Sequence, residues 1–374
     1  MMRPGKASPV ALAAFLGVVI GAALVWMVAR PAPAPVAGPR GGPSVQTQTA
    51  PAVSAASQDA ITAAIGKVGP AVVNISVLFQ PTRQELIERA FGMQPSPRGG
   101  QGSGVIIDGE QGYILTNAHV VKGAQKVMVT MASGRQLEAH VVGVDPLTEV
   151  AVVKVPGGGL PEAVLGSAAK LPIGSWVIAI GNPYGLENSV TVGVLSAKER
   201  QIPGPGGSSL DGLLQTDASI NPGNSGGALV DLEGNLIGIP TAVIPYAQGI
   251  GFAVSVDVAK QMADRLIQTG KAPWLGIQHG EVLPEQAKRL GLPSGKGTVV
   301  FGVSPNGPAA QAGIRPGDLI VAVGGQPVAD SRELGNAIRS HNAGEQVEIK
   351  LVRQGREMAV SVTIGAVPPN LGGR

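Results

Sequence analysis

The first hydrophobic pattern in the chain is an uncharged run over residues 10–29. At about 1.5 Å per residue, a helix of this length crosses a hydrocarbon core about 30 Å thick. Arg3 and Lys6 precede the run, and positive charges there favour an N-terminus in the cytoplasm. A cleaved signal peptide is the alternative, but its apolar region is usually shorter, about 7–15 residues. The pattern predicts a transmembrane anchor over residues 1–30, with the body of the protein outside the cytoplasm.

Residues 31–57 consist almost wholly of Pro, Ala, Gly, Ser, Thr, Val and Gln. Such a composition cannot bury a core, so it predicts a linker.

Short apolar runs then recur between glycine-rich turns. They fall at 71–78, 104–107, 113–116, 127–130, 137–144, 150–155, 176–180, 190–197, 213–216, 236–241 and 250–254. Many short strands at this spacing are typical of a sandwich or barrel. A helix predicted over 258–268, with Val258, Met262 and Leu266 on one stripe and Gly270 after it, closes a domain over residues 58–272.

Beyond Pro273 the pattern changes to strands mixed with two short helices, around 284–290 and 332–340, the second behind a cap at Ser331. This pattern predicts a separate α+β domain over residues 273–366, followed by a tail over 367–374.

Composition limits the function. The net charge is +3, only 14% of residues are charged, and no dense Lys/Arg tract occurs, so nucleic-acid binding is not expected. Without cysteine, disulfides and thiol nucleophiles are excluded. The four histidines have no zinc-type spacing, so we expect neither a metal site nor a cofactor.

The segment with most chemical content is residues 216–229, TDASINPGNSGGAL. Glycines on both sides of Ser225 let the backbone turn sharply, so that the amides of Gly223 and Ser225 can converge as an oxyanion hole requires. A simple glycine-rich turn is the alternative.

A second segment, LTNAHVV at 115–121, places His119 at a predicted strand end. Alone, it would be interpreted as a core histidine. A histidine, then an acid, then the serine segment is the order of the chymotrypsin-type constellation, in which imidazole takes the proton of the serine hydroxyl.

With residues 102–107, 143–154 and 179–185, these segments resemble the HtrA/Deg family of trypsin-like proteases with C-terminal PDZ domains. The likeness covers residues 58–366 and is greatest to the bacterial inner-membrane subtype with one anchor and one PDZ domain, similar to DegS. It implies a mainly β fold: a chymotrypsin-like double β-barrel, an α+β PDZ domain and one transmembrane helix.

The resemblance implies a catalytic set of His119, Glu149 and Ser225, with Asn224 between the two oxyanion-hole amides. Glu149 stands where the family has aspartate. Its extra methylene places the carboxylate about 1.5 Å farther along, and a misplacement of that order can cost about 100-fold in rate. Asp145, in the turn before the strand, is the poorer candidate for the acid.

Specificity and activation also follow from the resemblance. Ser219 lies six residues before the nucleophile, where enzymes that cut after Lys or Arg have aspartate. Small or medium aliphatic side chains are therefore expected at the cleaved position, in a pocket walled by Ile239 and Thr241.

Asn224 replaces the aspartate that pairs with a new N-terminus in digestive proteases. Activation by loop rearrangement is therefore expected, and the resemblance implies that Arg200 and Tyr184 take part in it.

In the last domain, Trp274, Leu275, Gly276 and Ile277 resemble the carboxylate-binding loop of PDZ domains, and residues 304–321 resemble their bacterial core signature. Consecutive amides around Gly276 can hold the C-terminus of a peptide that adds as an extra strand.

The resemblance implies a regulated endopeptidase, anchored in the bacterial inner membrane and facing the periplasm as a homotrimer. Its substrates would be misfolded or signalling proteins, in quality control and stress response. The alternative is a weak or inactive homologue, with Glu149 in place of aspartate, that serves as a peptide-binding scaffold or chaperone.

Overall fold

The computed structural model describes residues 55–79, 99–183, 185, 187–204, 209–221, 223–243, 249–281, 297–368 and 371. The predicted anchor, most of the linker, the helix at 284–290 and Tyr184 lie outside these ranges. Within them, no helix combines the length and apolar character needed to cross a membrane.

A helix, α1, precedes the first barrel and covers Ala55–Val68, so its start lies before the linker boundary expected at residue 57. A short 3₁₀ turn, Gly69–Ala71, leads into the first strand. The first barrel consists of six strands and one short helix: β1 Val72–Phe79, β2 Gly99–Asp108, β3 Tyr113–Asn117, α2 Ala118–Val121, β4 Ala124–Thr130, β5 Gln136–Asp145 and β6 Val150–Lys154. The strands close in the order β1-β2-β3-β6-β5-β4.

The second barrel has the same number of strands: β7 Trp176–Gly181, β8 Ser189–Pro203, β9 Ser209–Thr216, β10 Ala228–Val230, β11 Leu236–Val243 and β12 Gly251–Ser255. They close in the order β10-β11-β12-β9-β8-β7. The predicted double β-barrel is therefore confirmed.

Burial along the strands explains why these segments form barrels. In β1, Val73, Ile75 and Val77 share one face, as every second residue of a strand does, and are at most 2% exposed, while Val72 and Asn74 on the other face are buried as well. Burying each such side chain fully contributes about 1.5–3 kcal/mol.

The helix predicted over 258–268 is confirmed as α3, Val256–Thr269. The hydroxyl of Ser255 accepts from the amide of Asp257 at its start, and Gly270 ends it with a φ of 68°. Its buried stripe contacts β5 and β6 of the first barrel and β11 of the second, and so ties the barrels together.

The C-terminal domain has its own hydrophobic core and is α+β, as expected. Its elements are β13 Pro273–Trp274, β14 Ile277–Gly280, β15 Thr298–Val303, α4 Pro308–Gln311, β16 Leu319–Val323, β17 Gln326–Pro327, α5 Ser331–Arg339, β18 Gln346–Arg353, β19 Arg356–Thr363 and β20 Gly365–Ala366. The main sheet runs β14-β15-β16-β18-β19, with β17 on β16, which leaves β14 at an edge. Strand β13 pairs with β20 and joins the two ends of the domain.

The cap of α5 differs from the prediction. Asp330 caps the helix, since its carboxylate accepts from the amide of Glu333 at 2.7 Å, and Ser331 is the first residue within the helix. The expectation that Ser331 caps α5 was wrong, because both residues are good caps and only the start of the helix decides between them.

Candidate active site

His119 lies in α2, directly after β3, and forms a hydrogen bond with Glu149, the residue that stands where the family has aspartate. Its Nδ1 is 2.7 Å from Oε2 of Glu149. The side chain of His119 is 49% exposed and that of Glu149 only 9%, so the carboxylate is shielded while the imidazole faces outward. The extra methylene of glutamate does not keep the carboxylate out of hydrogen-bonding distance.

The main chain of Glu149 supports the same helix. Its carbonyl oxygen accepts from the amide of Ala118 and from Nδ2 of Asn117, both at 3.1 Å. Glu149 has a φ of 59°, in the left-handed region that non-glycine residues seldom occupy. The turn between β5 and β6 is thus held against α2 by both backbone and side chain.

Asp145, the other candidate acid, makes different contacts. Its carboxylate accepts from the amide of Leu147 at 3.0 Å and from the hydroxyl of Thr148 at 2.7 Å. It is 2% exposed, and burial raises its pKa above the ordinary value. Because Asp145 bonds within its own turn, the geometry selects Glu149 as the partner of His119.

Ser225 lies half-buried in a tight loop before β10. Ser225 O accepts from Ser103 N at 3.0 Å, and Asn224 O accepts from Gly227 N at 3.0 Å. The amide of Asn224 donates to Asn221 O, so it is not free to bind a ligand. Within the described part of the chain, no acceptor pairs with the amides of Gly223 or Ser225.

Glycine is required twice in this loop. Gly223 has a φ of 119°, and a Cβ there would lie 2.5 Å from Cβ of Pro183. Gly226 has a φ of 81°, and its Cβ would lie 2.4 Å from the carbonyl oxygen of Ser103. The loop can therefore pack against β2 and the end of β7 only without side chains at these positions.

The side chain of Asn224 braces the loop from inside. Its Oδ1 accepts from the amide of Asn221 at 3.0 Å, and its Nδ2 donates to the carbonyl of Ser219 at 2.9 Å. The buried amide thus makes neutral hydrogen bonds to the loop where digestive relatives have an ion pair.

The residues expected to form the specificity pocket are found in two environments. Ser219 is exposed, whereas Ile239 and Thr241 on β11 are 1% and 7% exposed. Of the expected activation residues, Arg200 on β8 is exposed and donates from Nε to Gln215 at 2.9 Å. Tyr184 lies outside the described residues.

In the C-terminal domain, the segment from Trp274 to Ile277 forms a turn between β13 and β14. Gly276 has a φ of 81°. The carbonyl of Gly276 accepts from Ser304 at 2.8 Å and that of Leu275 from Ala309 at 2.9 Å, which fixes the peptide planes of the turn. The turn leads into β14, which is the edge strand of the sheet within the described ranges.

A cleft runs from this turn along α5 and is closed by residues of both barrels. Trp274, Leu275, Gly276, Ile277 and His279 line one wall, Gly335, Ile338 and Arg339 of α5 another, and Asp145, Leu147, Thr148, Ser209 and Asp211 the third. Burial lowers the pKa of Arg339, while Asp145 and Asp211 raise it in part. Burial also lowers the pKa of His279.

Several of these residues carry no signal in the sequence. Arg339, His279 and Asp211 belong to no motif, and they meet only because the C-terminal domain packs on the barrels. Ser103 was noted only as part of a resembling segment.

Comparisons with known proteins agree with this architecture. Residues 102–239 match the family model of the trypsin-like peptidase domain, and residues 273–364 match that of the PDZ domain. The chain is 40% identical over 332 residues to the putative serine protease HhoA of Synechocystis, covering 82% of this chain and 84% of the relative. It is 37% identical over 350 residues to a probable periplasmic serine endoprotease, DegP-like, of Pseudomonas putida, covering 84% and 72%.

Solved structures show the same likeness. The HtrA-type protease AlgW with a decapeptide is 36% identical, with a TM-score of 0.64, and the match covers 83% of this chain and 99% of that one. AlgW with a tripeptide is 37% identical, with a TM-score of 0.66, over 83% and 98%. The serine endoprotease from Yersinia pestis is 36% identical, with a TM-score of 0.59, over 82% and 98%.

Proposed function

The chain belongs to the HtrA/Deg family of serine endopeptidases with one PDZ domain, and from that premise we propose that Ser225, His119 and Glu149 are its catalytic triad. The observation that carries the proposal is the 2.7 Å bond from His119 Nδ1 to Glu149, together with a serine loop in which the amides of Gly223 and Ser225 have no acceptor among the described residues. The α2 helix and the Ser225 loop both contact the same short stretch of β2, at Gly102 and Ser103.

The chemistry follows from these groups. Nε2 of His119 takes the proton of Ser225 Oγ while the oxygen attacks the scissile carbonyl. The amides of Gly223 and Ser225 donate to the oxyanion of the tetrahedral intermediate. His119 then protonates the leaving amine. Water next attacks the acyl group and gives a proton to Nε2 of His119, which returns it to Ser225 Oγ as the acid product leaves. Glu149 holds the tautomer of His119 and stabilises the imidazolium.

A fluorophosphonate probe tests the nucleophile. It should label Ser225 and lose labelling in Ser225→Ala and His119→Ala, because the first removes the oxygen and the second the base. Equal labelling of the serine variant and the wild-type protein would refute the assignment. If labelling and casein cleavage are both absent even with a PDZ-binding peptide present, the scaffold function takes its place.

We also propose that the pocket beside Ser225 takes small or medium aliphatic side chains. Ser219 supplies no carboxylate for a basic side chain, and Ile239 is apolar. Matched peptides with Val or Lys at the cleaved position should therefore differ, with kcat/KM higher for Val. Preference for Lys would exclude this pocket.

The PDZ domain is proposed to bind C-terminal peptides at the edge of β14 and so to regulate the protease. Support comes from the cleft, in which the peptide-binding turn and α5 face Asp145, four residues before Glu149. Glu199, beside the expected activation residue Arg200, lies 3.6 Å from Arg332 of α5 and forms a second junction between the domains. Peptides of graded length, assayed for binding and for stimulation of cleavage, test this coupling.

For location, we propose the periplasm, with residues 1–30 as an inner-membrane anchor and a homotrimeric assembly that acts on misfolded or signalling proteins. Relatives named periplasmic support the compartment, and the apolar run at 10–29 supports the anchor. The intact protein should resist alkaline carbonate extraction, and removal of residues 1–30 should release it. A mature N-terminus near Pro35 would show cleavage instead.

A further inference from the structure

The segment Gly102-Ser103-Gly104 in β2 has a role that the triad does not explain. A Cβ on Gly102 would lie 2.7 Å from Val120, next to His119, and one on Gly104 would lie 2.7 Å from Ile114. Because strand side chains alternate, Ser103 points to the other face, towards the second barrel. Ser103 is fully buried there.

Ser103 bonds to the serine loop through both its backbone and its side chain. Its amide donates to Ser225 O at 3.0 Å. Its hydroxyl donates to Gly223 O at 2.5 Å and accepts from Asn182 N at 2.7 Å. One residue of the first barrel therefore holds the carbonyls on both sides of the oxyanion loop in the second.

The direction of the hydroxyl is fixed by its neighbours. Since Oγ accepts from the amide of Asn182, its own proton is left for Gly223 O. Asn182 is in turn held by Nδ2 of Asn74, which donates to Asn182 O at 2.9 Å. All three side chains are at most 2% exposed, so the bonds from Asn182 to Ser103 and from Asn74 to Asn182 are shielded from solvent.

These bonds constrain the peptide groups on both sides of the Ser225 amide, which would meet the oxyanion. A peptide group is planar, so fixing a carbonyl also fixes the amide on its other side. Ser103 fixes the Gly223–Asn224 and Ser225–Gly226 groups, and Gly227 N fixes the Asn224–Ser225 group through its carbonyl. The amide of Ser225 is then left pointing away from every acceptor that the structure describes.

We propose that Ser103 is a positioning residue for peptide hydrolysis: its buried hydroxyl and its amide hold the peptide groups on either side of the Asn224–Ser225 group, so that the amide of Ser225 stays aimed at the oxyanion. The proposal rests on the assignment of Ser225 as the nucleophile. The oxyanion hole acts on the transition state more than on bound substrate, so Ser103 affects kcat and leaves KM nearly unchanged.

The test is Ser103→Ala in the full-length chain, with rates expressed per titrated active site. We expect kcat to fall by about 10–100-fold with KM within about 2-fold, since the amide of Ser225 remains but a peptide group beside it loses its fixed direction. Affinity for a peptide boronate, which forms a tetrahedral adduct with the serine, should fall by a similar factor. The pH midpoint of kcat should not move, because His119 and Glu149 keep their contacts.

Ser76→Ala is the matched control. Ser76 lies on the neighbouring strand β1 and donates to Asn74 Oδ1 at 2.9 Å without touching the serine loop. It should keep the wild-type ratio of boronate affinity to KM even if it melts at a lower temperature.

If Ser103→Ala keeps the wild-type kcat and boronate affinity while Ser225→Ala is inactive, only the proposed role of Ser103 is overturned. If Ser225→Ala is active, the assignment of Ser225 as the nucleophile is overturned as well. If Ser103→Ala does not fold, Ser103→Cys decides, because it keeps the packing but offers a weaker donor. Boronate affinity below wild type in the cysteine variant supports the proposal, and unchanged affinity overturns it.

Discussion

Glu149 is held at two points against the helix that carries His119. Its carboxylate bonds to Nδ1 of His119, and its carbonyl accepts from Ala118 at the start of the helix. A left-handed backbone at a non-glycine residue costs about 1–2 kcal/mol, and these contacts offset that cost. The residue that departs from the family pattern is therefore placed to orient the imidazole.

Substitutions of Glu149 test this role. Glu149→Gln should lower kcat by up to about 10⁴ with little change in KM, because the amide favours the wrong tautomer of His119. Glu149→Asp keeps the charge on a side chain one methylene shorter and should retain more activity than Glu149→Gln. Steady-state kinetics measure both, with Glu138→Gln on the exposed face of β5 as the control. Full activity in Glu149→Gln would rule out a triad acid at this position.

At the scale of elements, Asp318 joins the loop after α4 to β18. Its carboxylate accepts from Nε and Nη2 of Arg353 at 2.6 and 2.7 Å and from the amide of Arg315 at 2.8 Å. Asp318 is 1% exposed, and this pairing raises the pKa of Arg353. The sequence signature RPGD in the C-terminal domain thus has a structural purpose, to fix the loop to the sheet.

Asp318→Asn should destabilise the PDZ domain by about 2 kcal/mol, because it weakens two charge-assisted hydrogen bonds to Arg353 at a buried acceptor. Asp264→Asn, which removes a surface i,i+4 pair with Lys260, should cost less than about 0.5 kcal/mol. Denaturant unfolding of both variants measures the difference. Equal stability of the two would mean that Asp318 contributes nothing beyond a surface pair.

His279 on β14 predicts a pH dependence of the same domain. Burial lowers its pKa below the ordinary 6.5, Arg339 lowers it further, and Asp211 opposes the shift. Below about pH 6.5, the folded state therefore binds fewer protons at His279 than the unfolded state does. The contribution of neutral His279 to the free energy of unfolding is full above that pH and is lost as the pH falls. Melting temperatures at pH 8 and 5.5 should differ less in His279→Gln than in the wild-type protein.

At the scale of the whole molecule, the PDZ domain and the barrels share a charged junction. Arg339 of α5 lies near Asp145 and Asp211, and its Nε has no hydrogen-bond partner among the described residues. The chain after the PDZ domain also returns to the barrels, where Leu371 O accepts from Lys122 Nζ just beyond the His119 helix. The PDZ domain therefore contacts the β5–β6 turn that carries Glu149, and the tail after it contacts the end of the helix that carries His119.

Arg339→Met should loosen this junction, because it removes the cation that faces the two carboxylates while keeping an apolar stem. We expect the peptidase rate without a PDZ-binding peptide to change by about 5-fold or more and the stimulation by peptide to shrink, as for two coupled sites. Arg356→Met, exposed on β19, is the control. An unchanged ratio of stimulated to basal rate in Arg339→Met would show that the junction carries no coupling.

The sequence by itself determined the elements and the candidate nucleophile and base. The short apolar runs between glycine-rich turns, the apolar stripe of α3, Gly270 and the glycines around Ser225 are local signals, because each reflects backbone geometry within a few residues. The tertiary structure decided what depends on distant contacts. In the folded chain Glu149, at a left-handed position, is the acid that bonds to His119, and Asp145 is not. Ser103 bonds to Gly223, 120 residues away, and Arg339 lies opposite Asp145. Periodicity could not show these contacts, since each arises only when separate elements pack together.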